Sequence, residues 1–148
     1  MYKIYKNILT KAQQKNLLSF VKKQVKDLGS DYPGLQSNPD LHEHKEMKDL
    51  MTNIKKYMKD TKVIKCWANY TDGSYILWHN HNSKYSIVYY LYNPEKIGVM
   101  FKLNDYDINY TEGEENSMII FNSKDIHSVP NSFKKIKRYS IALESIFF

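Results

Sequence analysis

The sequence predicts an α+β fold with a mainly β core, in which two N-terminal helices pack on an antiparallel β unit. Two changes of texture carry this expectation. Over residues 1–62 the apolar side chains recur at spacings of three and four, the period of a helix buried along one stripe. From Val63 onward the chain turns to short runs of β-branched and aromatic residues separated by turn signals, the pattern of strands in a sandwich or barrel. A length of 148 residues suits one core that needs no staples, so a single domain is expected over 1–148, with a helical part at 1–62 and a β core at 63–148.

The first helix is expected from Thr10 to Leu28. Leu17, Leu18, Val21, Val25 and Leu28 form its stripe, Thr10 is its N-cap and Gly29 its stop. The segment Ser30 to Asp40, with Pro33, Gly34 and Pro39, reads as a surface loop. A second helix is expected from Pro39-Asp40 to about Asp60, burying Met47, Leu50, Met51, Ile54 and Met58. Six strand signals follow: Val63 to Tyr70, Tyr75 to Trp78, Tyr85 to Tyr92, Val99 to Leu103, Ser117 to Phe121 and Arg138 to Ile146. Thr71-Asp72-Gly73, Asn93-Pro94 and Glu112-Gly113 punctuate them as turns.

Composition narrows the class. Hydrophobic residues at 42% and charged residues at 26% belong to a globular protein and exclude a disordered tail. The lone Cys66 cannot form an internal disulfide and reads as a small buried hydrophobe, which points to a reducing compartment. With neither a signal peptide nor an apolar membrane span, the expected location is cytoplasmic. A net charge of +6 would attract an anionic partner such as nucleic acid or an acidic metabolite. The pairs Lys22-Lys23, Lys55-Lys56 and Lys134-Lys135 are scattered, however, and read as solvated faces that support nucleic-acid binding only weakly. There is no Gly-rich phosphate loop. Ser128 beside His127 lacks a nucleophile elbow, and neighbouring strand residues point to opposite faces, which argues against a hydrolase.

The chemistry-bearing residues lie in the β half. His79-Asn80-His81 follows one strand signal and His127 follows another, 46 positions after His81. In extended chain, residues i and i+2 face the same way, so His79 and His81 present both imidazoles to one side. Neutral imidazole suits iron, zinc, copper or nickel. Taken alone, the residues also allow a metal-free binding module, with surface histidines and a groove lined by Trp78, Tyr89 and Tyr90. His42 and His44 sit at the start of the expected second helix, where two positions lie about 200° apart, so they cannot share a metal. Arg138 and Ser140 share one face of the last strand, and the guanidinium fork suits a carboxylate.

Several motifs now stand in order: Trp67-Ala68-Asn69, Trp78-His79-Asn80-His81-Asn82-Ser83, Ser86-Ile87-Val88-Tyr89-Tyr90-Leu91, a turn centred on Gly98, Phe121, His127-Ser128-Val129 and Arg138-Tyr139-Ser140. In this order the chain from about Ile64 onward resembles the iron(II)- and 2-oxoglutarate-dependent oxygenases, and more narrowly a bacterial and phage branch whose first metal motif is His-x-His. The resemblance implies a double-stranded β-helix, the cupin-like jelly roll, with Fe(II) held by His79, His81 and His127. It implies Arg138 and Ser140 as the clamp for 2-oxoglutarate, and Asn69 and Tyr90 as further contacts, although Tyr89 on the opposite strand face is a rival for Tyr90. Dioxygen and an unidentified substrate would be the partners, and hydroxylation the default outcome. The chain departs from most relatives in three places. His81 stands where a carboxylate is usual, which raises the formal charge of an iron site by one unit. Asn116 and Asn122 replace a common glycine and proline. A three-histidine cupin-type dioxygenase that uses no 2-oxoglutarate is the alternative within the same fold, and Arg138-x-Ser140 speaks against it.

Overall fold

The computed structural model describes residues 1–132 and 134–148. Strand β1 (Tyr2–Tyr5) leads into helix α1 (Lys11–Gln24), followed by β2 (Leu35–Gln36) and α2 (Lys48–Lys55). The remaining strands are β3 (Thr61–Thr71), β4 (Ile76–His79), β5 (Tyr85–Tyr92), β6 (Ile97–Lys102), β7 (Ile108–Glu112), β8 (Met118–Asn122), β9 (His127–Val129) and β10 (Arg138–Phe147). They build two antiparallel sheets, one in the order β1-β8-β5-β10-β3-β2 and a smaller one in the order β4-β9-β6-β7. Apart from the β6–β7 hairpin, successive strands from β3 to β10 alternate between the sheets, a jelly-roll arrangement.

Side-chain alternation divides the larger sheet into two faces. On one, Cys66, Ala68, Ile87, Tyr89, Ile141 and Leu143 pack with Leu17, Val21, Met47, Leu50 and Ile54 of the helical layer. Each fully buried aliphatic side chain here contributes about 1.5–3 kcal/mol, enough to hold two short helices that would not persist alone. On the other face, Tyr90, Ile119 and Phe121 meet Val99 and Phe101 of the smaller sheet. That second, thinner core closes one end of the space between the sheets and leaves room for a cavity.

The helical half differs from expectation. Helix α1 begins at the predicted cap: Thr10 Oγ1 accepts from the Gln13 amide, and Gln13 Oε1 accepts from the Thr10 amide. It stops at Gln24, short of Gly29, because Lys26 pairs its backbone with Gln36 in both directions. The second helix is a correction: only Lys48–Lys55 is α-helical, preceded by two 3-10 turns at Leu41–Glu43 and Lys45–Met47. Pro39 accepts a hydrogen bond from the Cys66 amide, and Asp40 bridges to Cys66, so this stretch is tied to β3 and cannot coil. The apolar stripe survives, with Met47, Leu50 and Ile54 buried. Strands β1, β2, β7 and β9 lie outside the six expected, β2 inside the segment read as the surface loop Ser30 to Asp40. Gly98 sits within β6, not in a turn. A Cβ there would collide with the Thr111 carbonyl oxygen, so glycine allows β7 to lie close.

Asn116 explains its own departure from glycine. Its φ of 62° is left-handed, a conformation that asparagine tolerates. Its Oδ1 accepts from the Leu9 amide and the Tyr89 hydroxyl, and its Nδ2 donates to the Leu9 carbonyl, all at 2.8 Å. Asn116→Ala removes three hydrogen bonds and strands a buried phenol, so chemical denaturation should show a loss of about 2–4 kcal/mol.

Candidate metal and anion site

The cavity between the sheets has a volume of about 220 Å³. Alternation places its walls: Trp67 and Asn69 from β3, Ser86, Val88 and Tyr90 from β5, and Arg138, Ser140, Ala142 and Glu144 from β10. The smaller sheet contributes Ile76, His79, Val99, His127 and Val129. All seven residues singled out from the sequence line this one space: His79, His81, His127, Arg138, Ser140, Asn69 and Tyr90. Tyr89 does not, since it points into the helical core and bonds Asn116.

The three histidines converge at one end. His79 is the last residue of β4 and pairs in register with His127, the first of β9, which makes the two imidazoles neighbours across the ladder. The His81 amide donates to the Ser123 carbonyl and anchors the turn after β4. Ring centroids are separated by 4.2 Å for His79 and His127, 5.0 Å for His79 and His81, and 5.3 Å for His81 and His127. One nitrogen from each ring lies within 4.8 Å of the others, close enough to hold a metal ion.

Their tautomers follow from their partners. Nδ1 of His79 lies 2.7 Å from the Leu77 carbonyl oxygen, and Nδ1 of His127 lies 2.8 Å from that of Asp125. A carbonyl only accepts, so each Nδ1 carries the proton and each Nε2 keeps its lone pair for a ligand. Burial lowers the pKa of both rings, that of His127 to about 4, so both are neutral donors at physiological pH. Phe121 stacks edge-on against His127 at 4.7 Å and keeps this side dry.

His81 has a different neighbour, one that sequence reasoning missed. Its Nδ1 lies 2.8 Å from Oε1 of Glu144, whose residue is only 7% exposed. The approach is close but off the line of the ring N–H, so it is a polar contact and not an aligned hydrogen bond. His81, foremost, followed by the charge of Lys65 and the Ser83 hydroxyl, holds the Glu144 carboxyl below its ordinary pKa against the opposing effect of burial. A signal was present: continuing the alternation of Arg138 and Ser140 by two further steps reaches Ala142 and then Glu144.

Elsewhere along the wall the site is cationic and short of acceptors. Arg138 donates from Nη2 to the Ser74 carbonyl at 3.3 Å, while its Nη1 is buried with no partner among the described residues. The Tyr90 hydroxyl is likewise buried without a partner. Burial holds the phenols of Tyr90 and Tyr32 well above their usual pKa, so neither supplies a counter-charge. Gln36 Nε2 donates to Asn69 Oδ1 at 2.9 Å, which engages the Asn69 acceptor and leaves its amide donor for the cavity. Ser74 and the more distant charge of Glu95 meet the guanidinium only in part, and an entering anion with two or more acceptor oxygens would give the enclosed Nη1 the acceptor it lacks.

No protein-family model and no curated protein matches the sequence. Solved structures do match the fold. The chain is similar to HygX from Streptomyces hygroscopicus, solved with nickel, 2-oxoglutarate and hygromycin B bound, at a TM-score of 0.77 and 11% identity over 97% of this chain and 82% of that one. It is similar to a prolyl hydroxylase from Trichoplax adhaerens in complex with a hypoxia-inducible-factor peptide fragment, at a TM-score of 0.74 and 16% identity over 99% and 83% of the two chains. A viral collagen prolyl hydroxylase from Paramecium Bursaria Chlorella virus-1, in its 2-oxoglutarate complex, aligns at a TM-score of 0.70 and 11% identity, with coverages of 99% and 96%. At such identities the likeness establishes a shared jelly-roll fold. Among the described residues, no helix is long and apolar enough to cross a membrane.

Proposed function

We propose that this protein is an iron(II)- and 2-oxoglutarate-dependent oxygenase, a hydroxylase by default, built as one double-stranded β-helix domain that works in a reducing cytoplasm. The observation that carries the reading is the pairing, in one 220 Å³ cavity, of three convergent imidazole nitrogens with an arginine whose enclosed Nη1 has no partner among the described residues. A metal site alone would not need Arg138, and an anion pocket alone would not need the histidines. The structural neighbours that carry nickel or 2-oxoglutarate support the same assignment.

His79, His81 and His127 would hold the metal through Nε2, with the Nδ1 protons of His79 and His127 fixed by the Leu77 and Asp125 carbonyls and Nδ1 of His81 facing Glu144. Arg138 would take the far carboxylate of the keto acid through its unpaired Nη1, joined by the Tyr90 hydroxyl, Ser140 and the Asn69 amide. Once bound, iron and 2-oxoglutarate supply the oxidising power, the keto acid giving succinate and carbon dioxide as dioxygen is consumed. The chain's own work is placement and shielding: Val88, Val99, Ile76 and Val129 present an apolar wall that limits water around the reacting atoms.

The test is turnover without substrate. Purified protein supplied with iron(II), 2-oxoglutarate and air should form succinate slowly, in an amount that tracks oxygen consumed. If no succinate forms above the level given by iron alone, the proposal fails.

A further inference from the structure

We infer that Glu144 is the positioning residue of the metal site, fixing His81 through Nδ1 and supplying from behind the ring the negative charge that a carboxylate at position 81 would have supplied directly. The inference rests on the iron reading above and goes further, because it accounts for the site's third histidine.

Three observations carry it. Glu144 occupies the cavity face of β10, in line with Arg138 and Ser140, at a point where a buried carboxylate is costly unless something receives it. Its Oε1 is buried and 2.8 Å from His81 Nδ1, and it has no aligned hydrogen bond among the described residues, so a small rotation of the His81 ring completes the pair. Ser86, in register with Glu144 on the neighbouring strand, belongs to a chain of buried hydroxyls, Ser83 to Ser123 at 2.7 Å and Ser123 to Ser86 at 2.9 Å.

The other two ligands have no such partner. His79 and His127 donate Nδ1 to backbone carbonyls, which orient a ring but carry no net charge. Only His81, at the position where relatives hold a carboxylate, is backed by one. Three neutral imidazoles around a divalent ion leave the centre at +2, and adding Glu144 returns it to +1, the value of a site with two histidines and one carboxylate. The carboxylate has moved one residue outward, from the metal to the far side of the ring.

Cobalt(II), added under anaerobic conditions to the full chain, reads the effect through both affinity and its visible absorption. Glu144→Gln keeps the shape and removes the charge, so it should weaken cobalt binding about 10–100-fold and shift the visible bands. In a His81→Ala background the same substitution should change affinity by less than about twofold, because a residue acting through His81 has nothing left to act on. Equal losses in both backgrounds, or no loss in either, would overturn the inference and leave the oxygenase reading intact. Absence of cobalt binding to the unaltered protein would instead sink the reading on which it rests. Should Glu144→Gln fail to fold, the zinc-loaded unaltered protein answers by proton NMR. A slowly exchanging, strongly downfield Nδ1 proton on His81 is expected. Its absence while those of His79 and His127 are seen would overturn the assignment.

Discussion

Replacing His127 with alanine is expected to weaken affinity for iron(II) by more than about 100-fold, beyond what loss of an outer hydrogen-bond partner costs. His127 is the most enclosed of the three histidines, 5% exposed, held by the Asp125 carbonyl and by contact with Phe121. Its low pKa keeps Nε2 unprotonated, so at neutral pH no proton has to leave before a metal enters. Without it, His79 and His81 alone remain. The folded protein should survive, because the side chain borders an existing cavity and its loss should cost only about 2 kcal/mol. Metal titration with a parallel thermal melt separates the two effects.

Arg138→Met should do the opposite: leave metal binding alone and remove 2-oxoglutarate. Each charge-assisted hydrogen bond to a carboxylate contributes about 1.5–3 kcal/mol. Loss of a two-bond clamp therefore weakens binding by about 10²–10⁴-fold. Arg138→Lys should fall between, since it keeps the charge and loses the fork. The same geometry makes an unusual prediction for stability. The guanidinium is half-buried with its Nη1 enclosed and unpartnered, and among the described residues it forms no ion pair. An apolar side chain of similar volume should leave the cosubstrate-free protein as stable as before, or more so, by thermal melting. A variant that lost both stability and metal affinity would mean that Arg138 is structural.

The β half was the more legible part of the sequence because strands with one buried face write their alternation openly. Tyr85 to Tyr92 and Arg138 to Ile146 could be bounded to within a residue or so, and that alternation brought Arg138, Ser140 and Tyr90 to one face. The helical half misled because Met47, Leu50 and Ile54 have helical spacing whether or not residues 39–44 coil, and only the ties from Pro39 and Asp40 to Cys66, invisible in sequence, decide that they do not. Strands of two or three residues, β2 and β9, carry too few side chains to show a period. Glu144 was within reach of the pattern but not of motif reasoning, which looked for a carboxylate at position 81. The pairing lies across the fold, between β10 and the turn after β4.

The central claim, one cavity holding metal and keto acid together, is tested most directly by anaerobic addition of iron(II) and then 2-oxoglutarate, watched in the visible region. The unaltered protein should develop a weak charge-transfer band that appears only with both present, is absent in His127→Ala, and in Arg138→Met requires far more 2-oxoglutarate. A protein that binds iron but shows no band at any concentration of 2-oxoglutarate would contradict the account.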